Sequence, residues 1–327
     1  MGRGIVNRYV TARRLMVTAL IASLLIVATF AGRLWTRASA ATTAGHIQTV
    51  FIILMENHNW SQIRGSKYAP YINSLISGSN DAHTSYMSNY YNPPGNHPSL
   101  PNYLWLEDGQ CFTYCGTDSD PRLGRNGIGA THLVTLLNSA GLSWKAYEEG
   151  DPGGCPTANS GEYAVRHDPF VYFDDVNGRS SYCSSHVVDY SNLARDLHKN
   201  TPARYNFITP NLCDDMHDHC NPLTNSIKQG DTWLKNNAPP IINWVMAHNG
   251  ALFITWDEAA NGDGPIGMIA VSPFARGHGF DLTSPNTKYA YTHSSTLRTL
   301  EEIFRMSSRL GDSKNASDLS HLFTRFP

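Results

Sequence analysis

The sequence predicts an α/β protein, a single layered domain with a mostly parallel sheet. Three observations carry that expectation. Short apolar runs rich in β-branched residues alternate with amphipathic helical stretches along the whole chain. The run from Thr49 to Met55 is apolar almost throughout, as a strand buried on both faces requires. Several of these runs stop abruptly at acidic or amide residues, and in open α/β sheets ligands bind beyond the carboxyl ends of the strands.

The 327 residues, 41% of them hydrophobic, are enough for one sizeable core, and an aromatic share of 11% excludes a disordered chain. The net charge of −2 hides an asymmetry. Residues 1–40 hold six arginines (Arg3, Arg8, Arg13, Arg14, Arg33, Arg37) and no acid, so the remainder carries −8 and is mildly acidic. An acidic body argues against nucleic acid as a partner. It also means that an anion such as phosphate needs a local positive charge, most simply a metal.

The basic start, the uncharged stretch from Leu15 to Gly32 and the small residues Ala38-Ser39-Ala40 read as an export signal cleaved after residue 40. The alternative is a membrane anchor formed by residues 15–32, which are just long enough to span a bilayer. The expected organisation is thus 1–40 as signal and 41–327 as one domain. Cys111, Cys115, Cys155, Cys183, Cys213 and Cys220 agree with export, since an even count there reads first as disulfides. Proximity favours pairs 111–115, 213–220 and 155–183; the alternative is a thiolate metal site.

In chain order, residues 69–76 read as a helix with Tyr71, Leu75 and Ile76 on one face. Residues 79–97, rich in Asn, Ser, Tyr, Pro and Gly, read as a long loop. A helix starts at Ser99, another covers 131–140, and residues 143–147 form a strand ending at Glu148-Glu149. The stretch 150–190 reads as irregular. Residues 204–209 and 251–256 are strands, the second ending at Asp257-Glu258, and 267–271 is another. Residues 231–247 read as helix on either side of an interruption at Pro239-Pro240. A last helix covers 294–304, with Leu297, Leu300 and Phe304 on one stripe.

Three strands end in hard ligands: Glu56-Asn57, the cluster Asp214-Asp215-Met216-His217-Asp218-His219, and Asp257-Glu258. Tyr291-Thr292-His293 adds an imidazole before a helix. Oxygen donors with one or two imidazoles suit a divalent cation, Ca²⁺, Mg²⁺, Mn²⁺ or Zn²⁺. Taken singly, each pair also fits a solvated loop or a helix cap. His97-Pro98-Ser99-Leu100-Pro101-Asn102-Tyr103 supplies a hydroxyl where an N-cap belongs. Ser99 is either a plain cap or a nucleophile at a helix N-terminus that seats a phosphate.

These motifs resemble, in order, those of a known family: Met55-Glu56-Asn57-His58, His97-Pro98-Ser99, Asp215-Met216-His217-Asp218, Ile254-Thr255-Trp256-Asp257-Glu258 and Thr292-His293-Ser294. The family is the secreted phosphoesterases, which include bacterial and fungal acid phosphatases and phospholipases C within the alkaline-phosphatase-like superfamily. The chain looks most like the short mycobacterial acid phosphatases that act on phosphoinositides, over about residues 46–306. The resemblance implies a three-layer α/β/α fold of alkaline-phosphatase type. It implies divalent metal binding by Glu56, Asn57, Asp257 and Glu258, and Ser99 as the nucleophile that becomes phosphorylated; Ala259-Ala260-Asn261-Gly262, where relatives often carry a further acid, favours one metal over two. Asp215, His217 and His293 are implied as further catalytic groups, and His97, Asn102 and His167 as substrate contacts. Lys145, Tyr147 and Arg166 belong to a recurrent segment of the short phosphatases. The implied activity is monoester hydrolysis on a phosphorylated small molecule or a phosphoinositide-type lipid headgroup. The alternatives are a phospholipase C-type diesterase and an exported anion- or metal-binding module without turnover.

Overall fold

A computed structural model describes residues 46–79, 83–122, 127–282 and 291–327. The export or anchor segment expected at 1–40 lies outside these. Among the described residues no helix is long and apolar enough to cross a membrane.

The sheet is built on β1 (Thr49–Met55), β2 (Thr84–Met87), β4 (Trp144–Glu148), β5 (Val187–Asp189), β6 (Tyr205–Thr209), β7 (Gly250–Trp256), β8 (Met268–Val271) and β9 (Phe280–Asp281). Their order is β5-β4-β6-β1-β7-β8-β2-β9, with β8 the strand that runs against the others. A two-residue strand β3 (Tyr90–Tyr91) pairs with β10 (Tyr291–Thr292) outside the main sheet. Every residue of β1, β6 and β7 is buried, so both faces of the sheet centre are covered. The architecture is a three-layer α/β/α fold around a mixed, largely parallel sheet.

The helices are α1 (Trp60–Ile63), α2 (Pro70–Ile76), α3 (Ser99–Asp108), α4 (Leu133–Ser139), α5 (Asp174–Asn177), α6 (Ser180–His186), α7 (Asn192–His198), α8 (Ser226–Ala247) and α9 (His293–Ile303). Helix α8 packs on β7, β1, α2 and α7, and α9 packs on α3. Leu297, Leu300 and Phe304 are buried, as the stripe on that helix requires. In α2 the buried face is Ile72, Leu75 and Ile76, while Tyr71 is half-buried.

Three expectations are corrected. Residues 79–97 are not one loop, because Thr84–Met87 is a fully buried strand between β8 and β9. Thr-Ser-Tyr-Met has little apolar character of its own; the two neighbouring strands supply the ladder that makes it a strand. The stretch 150–190 holds short 3₁₀ turns, α5, α6 and β5. Helix α8 runs unbroken through Pro239 and Pro240. The prolines free the carbonyls of Lys235 and Asn236, four residues earlier, and both residues are exposed, so water can satisfy those groups. Meanwhile Trp233, Leu234, Ala238, Ile241 and Val245 keep the inner face buried on either side of them.

The three disulfides are Cys111–Cys115, Cys155–Cys183 and Cys213–Cys220, the pairing that proximity favours. No cysteine is free, which removes the thiolate alternative. Glu162 lies beside Cys213 and Cys220, but sulfurs bonded to each other are not thiolate ligands.

Candidate metal centre and nucleophile

Strands β6, β1 and β7 are neighbours at the centre of the sheet, which brings their carboxyl ends to one edge. Met55 is in register with Trp256, so Glu56 and Asp257 leave their strands side by side. The exits are tied by backbone bonds: Asp257 N donates to Met55 O and Glu56 N donates to Asp215 O, both at 2.8 Å. The last of these anchors the loop after β6. In that loop Met216 has φ +85°, and its buried sulfur accepts from Trp256 Nε1 at 3.4 Å. Gly230 of α8 lies against it; a Cβ there would come within 2.4 Å of Met216 Cγ. This pinned turn leaves Asp215 fully buried and His217 partly exposed at the mouth.

Glu56 is the hub of the site and is fully buried. Its Oε2 accepts from Ser99 Oγ at 3.0 Å, and its Oε1 accepts from Tyr103 Oη at 2.9 Å. His167 Nε2 approaches Glu56 Oε1 at 3.1 Å, and His167 Nδ1 approaches Asp215 Oδ2 at 3.3 Å. Despite these distances, His167 Nε2 and Asp215 Oδ2 lack hydrogen-bond geometry to any partner, and both oxygens of buried Asp257 are unpaired as well. Asn57 Nδ2 donates to Glu258 Oε1 at 2.6 Å, and His97 Nδ1 lies 2.5 Å from Glu258 Oε2.

Burial pushes the Glu56 carboxyl up to about 7, against the opposing pull of His217, Tyr103 and Ser99. Burial, and then the Glu56 charge, raises Asp215 and Asp257 well above the usual carboxylate range. Burial also raises Glu258, offset by His97. His167 is driven well below its ordinary value by burial and then by Arg166 and His217, so its imidazole is neutral and able to act as a ligand. Carboxyls crowded in low dielectric with unpaired oxygens are what a cation would satisfy. The residues present therefore fit one divalent cation. Ligand atoms of Glu56, His167 and Asp215 lie within 4.8 Å of one another.

The geometry redistributes several expected positions. His167, expected to touch substrate, is buried with Glu56 and Asp215. Asn102 is also fully buried, and its amide donates to Asn96 O at 2.9 Å and to Glu258 Oε2 at 3.3 Å, bracing the loop before α3. His97 sits between Glu258 and Asp263, whose Oδ1 is 3.0 Å from His97 Nε2. His293 Nε2 donates to the carbonyl of Asp257 at 2.5 Å, and its Nδ1 accepts from Tyr90 Oη at 3.0 Å. With both nitrogens engaged and burial lowering it to about 4, His293 orients the strand end rather than facing the cleft. Ser99 is the first residue of α3, and Pro98 is the cap. Lys145 and Tyr147 reach Asp196 at 2.7 and 3.0 Å, a brace between β4 and α7.

A model of the Phosphoesterase family matches residues 80–307. The chain belongs to the phosphoesterase family. A phosphatidylinositol-3-phosphatase of Mycobacterium tuberculosis is 31% identical over 288 residues, which cover 88% of this chain and 85% of that protein. A probable acid phosphatase of Kluyveromyces lactis is 26% identical over 217 residues, 64% of this chain and 47% of that one. Human ectonucleotide pyrophosphatase/phosphodiesterase 5 shares the fold with a TM-score of 0.55 at 12% identity, over 85% of this chain and 100% of that chain. This phosphoesterase is a hydrolase acting on phosphate-containing substrates, with a site suited to a divalent metal.

Sequence reasoning passed over Tyr103, Asp118 and Asp263. Tyr103 had a signal: it stands four residues after Ser99, on the same helical face. Asp118 and Asp263 had none, because each reaches the site from a loop distant in sequence. Arg166 turns out to be the guanidinium at the mouth, with Nη2 3.4 Å from His217 Nε2 and Nε 3.7 Å from Asp118 Oδ2.

Proposed function

We propose that this phosphoesterase hydrolyses phosphate monoesters in two steps through Ser99. The observation that carries the reading is the Ser99 hydroxyl bonded to Glu56 beside buried carboxyl and imidazole atoms that have no partner. Glu56, Asp257, Asp215 and His167, with Asn57 and Glu258 alongside, would hold the divalent cation. When bound, that cation supplies the positive field that favours an ionised Ser99 and neutralises phosphoryl oxygens.

The Ser99 hydroxyl points its proton at Glu56 Oε2, which takes that proton as the serine oxygen attacks phosphorus in line and returns it when Ser99 leaves in the second step. Arg166 binds a phosphoryl oxygen at the mouth. His217, whose Nδ1 is held by Asp218 at 2.7 Å, gives a proton to the leaving alkoxide. In the second step a water attacks the phosphoserine and His217 takes up its proton. Asp215 accepts from His217 N at 2.7 Å and so fixes the turn that carries the imidazole.

The likeness to a phosphatidylinositol-3-phosphatase supports a phosphoinositide-type headgroup as substrate, with other phosphorylated small molecules as the wider class. Export through residues 1–40 belongs to the same reading. The test is phosphate release from p-nitrophenyl phosphate, with and without EDTA, beside Ser99→Ala. Release that requires both Ser99 and the metal supports the two-step route. Undiminished release by Ser99→Ala would remove the nucleophile.

A further inference from the structure

The start of α3 is a poorer phosphate seat than its sequence suggests. Pro101 has no N–H, and Leu100 N–H already donates to Asp118 Oδ1 at 3.0 Å. The other oxygen of the same carboxylate lies 3.7 Å from Arg166 Nε. One side chain thus holds both a helix N-terminal amide next to Ser99 and the guanidinium at the mouth. Those are two contacts that a phosphoryl group on Ser99 would otherwise use. Asp118 is a third exposed, on a loop that follows the small Cys111–Cys115 ring. Its exposed part is open to water.

We propose that Asp118 is a built-in competitor of phosphate: its carboxylate occupies the anion contacts at Leu100 and Arg166 and must be displaced before a phosphoryl group can take them. This rests on the monoesterase reading above and adds how the site releases its product. A carboxylate and a phosphate oxygen have the same acceptor chemistry, and a tethered competitor acts at millimolar or higher effective concentration, of the order known for short flexible links. Inorganic phosphate, once formed, meets this competitor and leaves readily. A site built in this way shows weak product inhibition.

The test compares wild-type protein, Asp118→Asn and Asp118→Ser, each saturated with divalent metal. KM and kcat on p-nitrophenyl phosphate and the inhibition constant of inorganic phosphate are measured. Both variants should lower KM and the phosphate inhibition constant by about tenfold, the size of one released charge-assisted contact. Their kcat should fall as product release slows. Higher KM and a higher inhibition constant in both variants would mean that Asp118 merely braces Arg166, and the proposal is overturned. Values within twofold of wild type overturn it equally. Calorimetric titration of inorganic phosphate into the same three proteins makes the comparison without turnover. It therefore decides the role of Asp118 even if Ser99 proves not to be the nucleophile. Melting curves confirm that the variants are folded, and agreement between the two substitutions guards against a local defect in either.

Discussion

Helix α3 carries a buried group of acids and imidazoles at each end, and the two ends behave differently. At its C-terminal end Glu107 accepts from Tyr205 Oη at 2.6 Å, and His132 Nε2 meets Asp175 at 2.9 Å. Thr135 donates to the other Asp175 oxygen at 2.8 Å, and the His132 ring stacks on Phe173 with centroids 3.7 Å apart. Burial alone would lower the pKa of His132, but Asp175 and Glu107 outweigh it and raise the value. Burial likewise raises Asp175, and His132 overcomes it, so Asp175 ends below the usual range. Two carboxylates therefore favour the proton on this imidazole, although His132 Nδ1 and Glu107 Oε2, 3.7 Å apart, lack hydrogen-bond geometry to a partner. At the N-terminal end the shifts run the other way: burial leaves the imidazole of His167 neutral and raises the neighbouring carboxyls. The same residue types make a strut where opposite charges meet and a cation site where acids crowd an uncharged ring.

The largest effect that sharpens this contrast is on turnover. Ser99→Ala should lower kcat by roughly a thousandfold or more, as loss of a nucleophile does, with an unchanged melting temperature. A modest kinetic loss would make the N-terminal cluster structural too. Next comes the strut itself. His132→Gln should cost about 2–4 kcal/mol by denaturant unfolding, toward the lower side because Asp175 stays partly solvated. The folded fraction of that variant should keep its KM. A changed KM at matched folded fraction would join the two ends functionally.

Metal should separate the clusters in a third way. A divalent cation at a hundredfold excess over its Kd stabilises the native state by about 2.7 kcal/mol, several degrees of melting temperature. Asp257→Asn should abolish most of that shift, whereas His132→Gln should retain it. An equal loss in both would show that the ion binds elsewhere.

A fourth contrast is in the pH dependence of stability. Without metal, Glu56 holds its proton up to about 7 in the folded state and loses it near 4.5 when unfolded. Between those values the native state binds more protons, so stability falls as pH rises. Asp215 and Asp257 act in the same direction. His167, which is lowered, acts oppositely below 6.5, one imidazole against three acids. Chelated protein should therefore lose stability from about pH 4.5 to 7, and added cation should flatten the slope. His132, being raised, contributes stability that is complete below about 6.5 and fades as pH rises through its folded value. Melting curves of His132→Gln with EDTA across pH 5–8 should keep the carboxylate slope. Loss of the slope in that variant would assign it to the strut.

Much of the site was legible because chemistry sat where strands stop. The buried runs ending at Glu56, Thr209 and Trp256 announced one edge, and the run of residues from His97 to Tyr103 announced a hydroxyl at a helix start. Nothing local marked Thr84–Met87 as a strand, nor the ability of α8 to carry two prolines, since neighbours decided both. Likewise no spacing tells that His167 lies against Glu56, or that Asp118 reaches Leu100 across 18 residues.

By itself, then, the sequence determined the periodicities of the central strands, the family motifs and the disulfide pairing favoured by short separations. Those follow from interactions within a few residues of chain. Only the tertiary structure decided which imidazole has its proton favoured and which is driven neutral, which buried atoms lack partners, and what occupies the helix N-terminus beside Ser99. These are properties of burial and of charges brought together from distant segments, and a side chain acquires them only when the layers close around it.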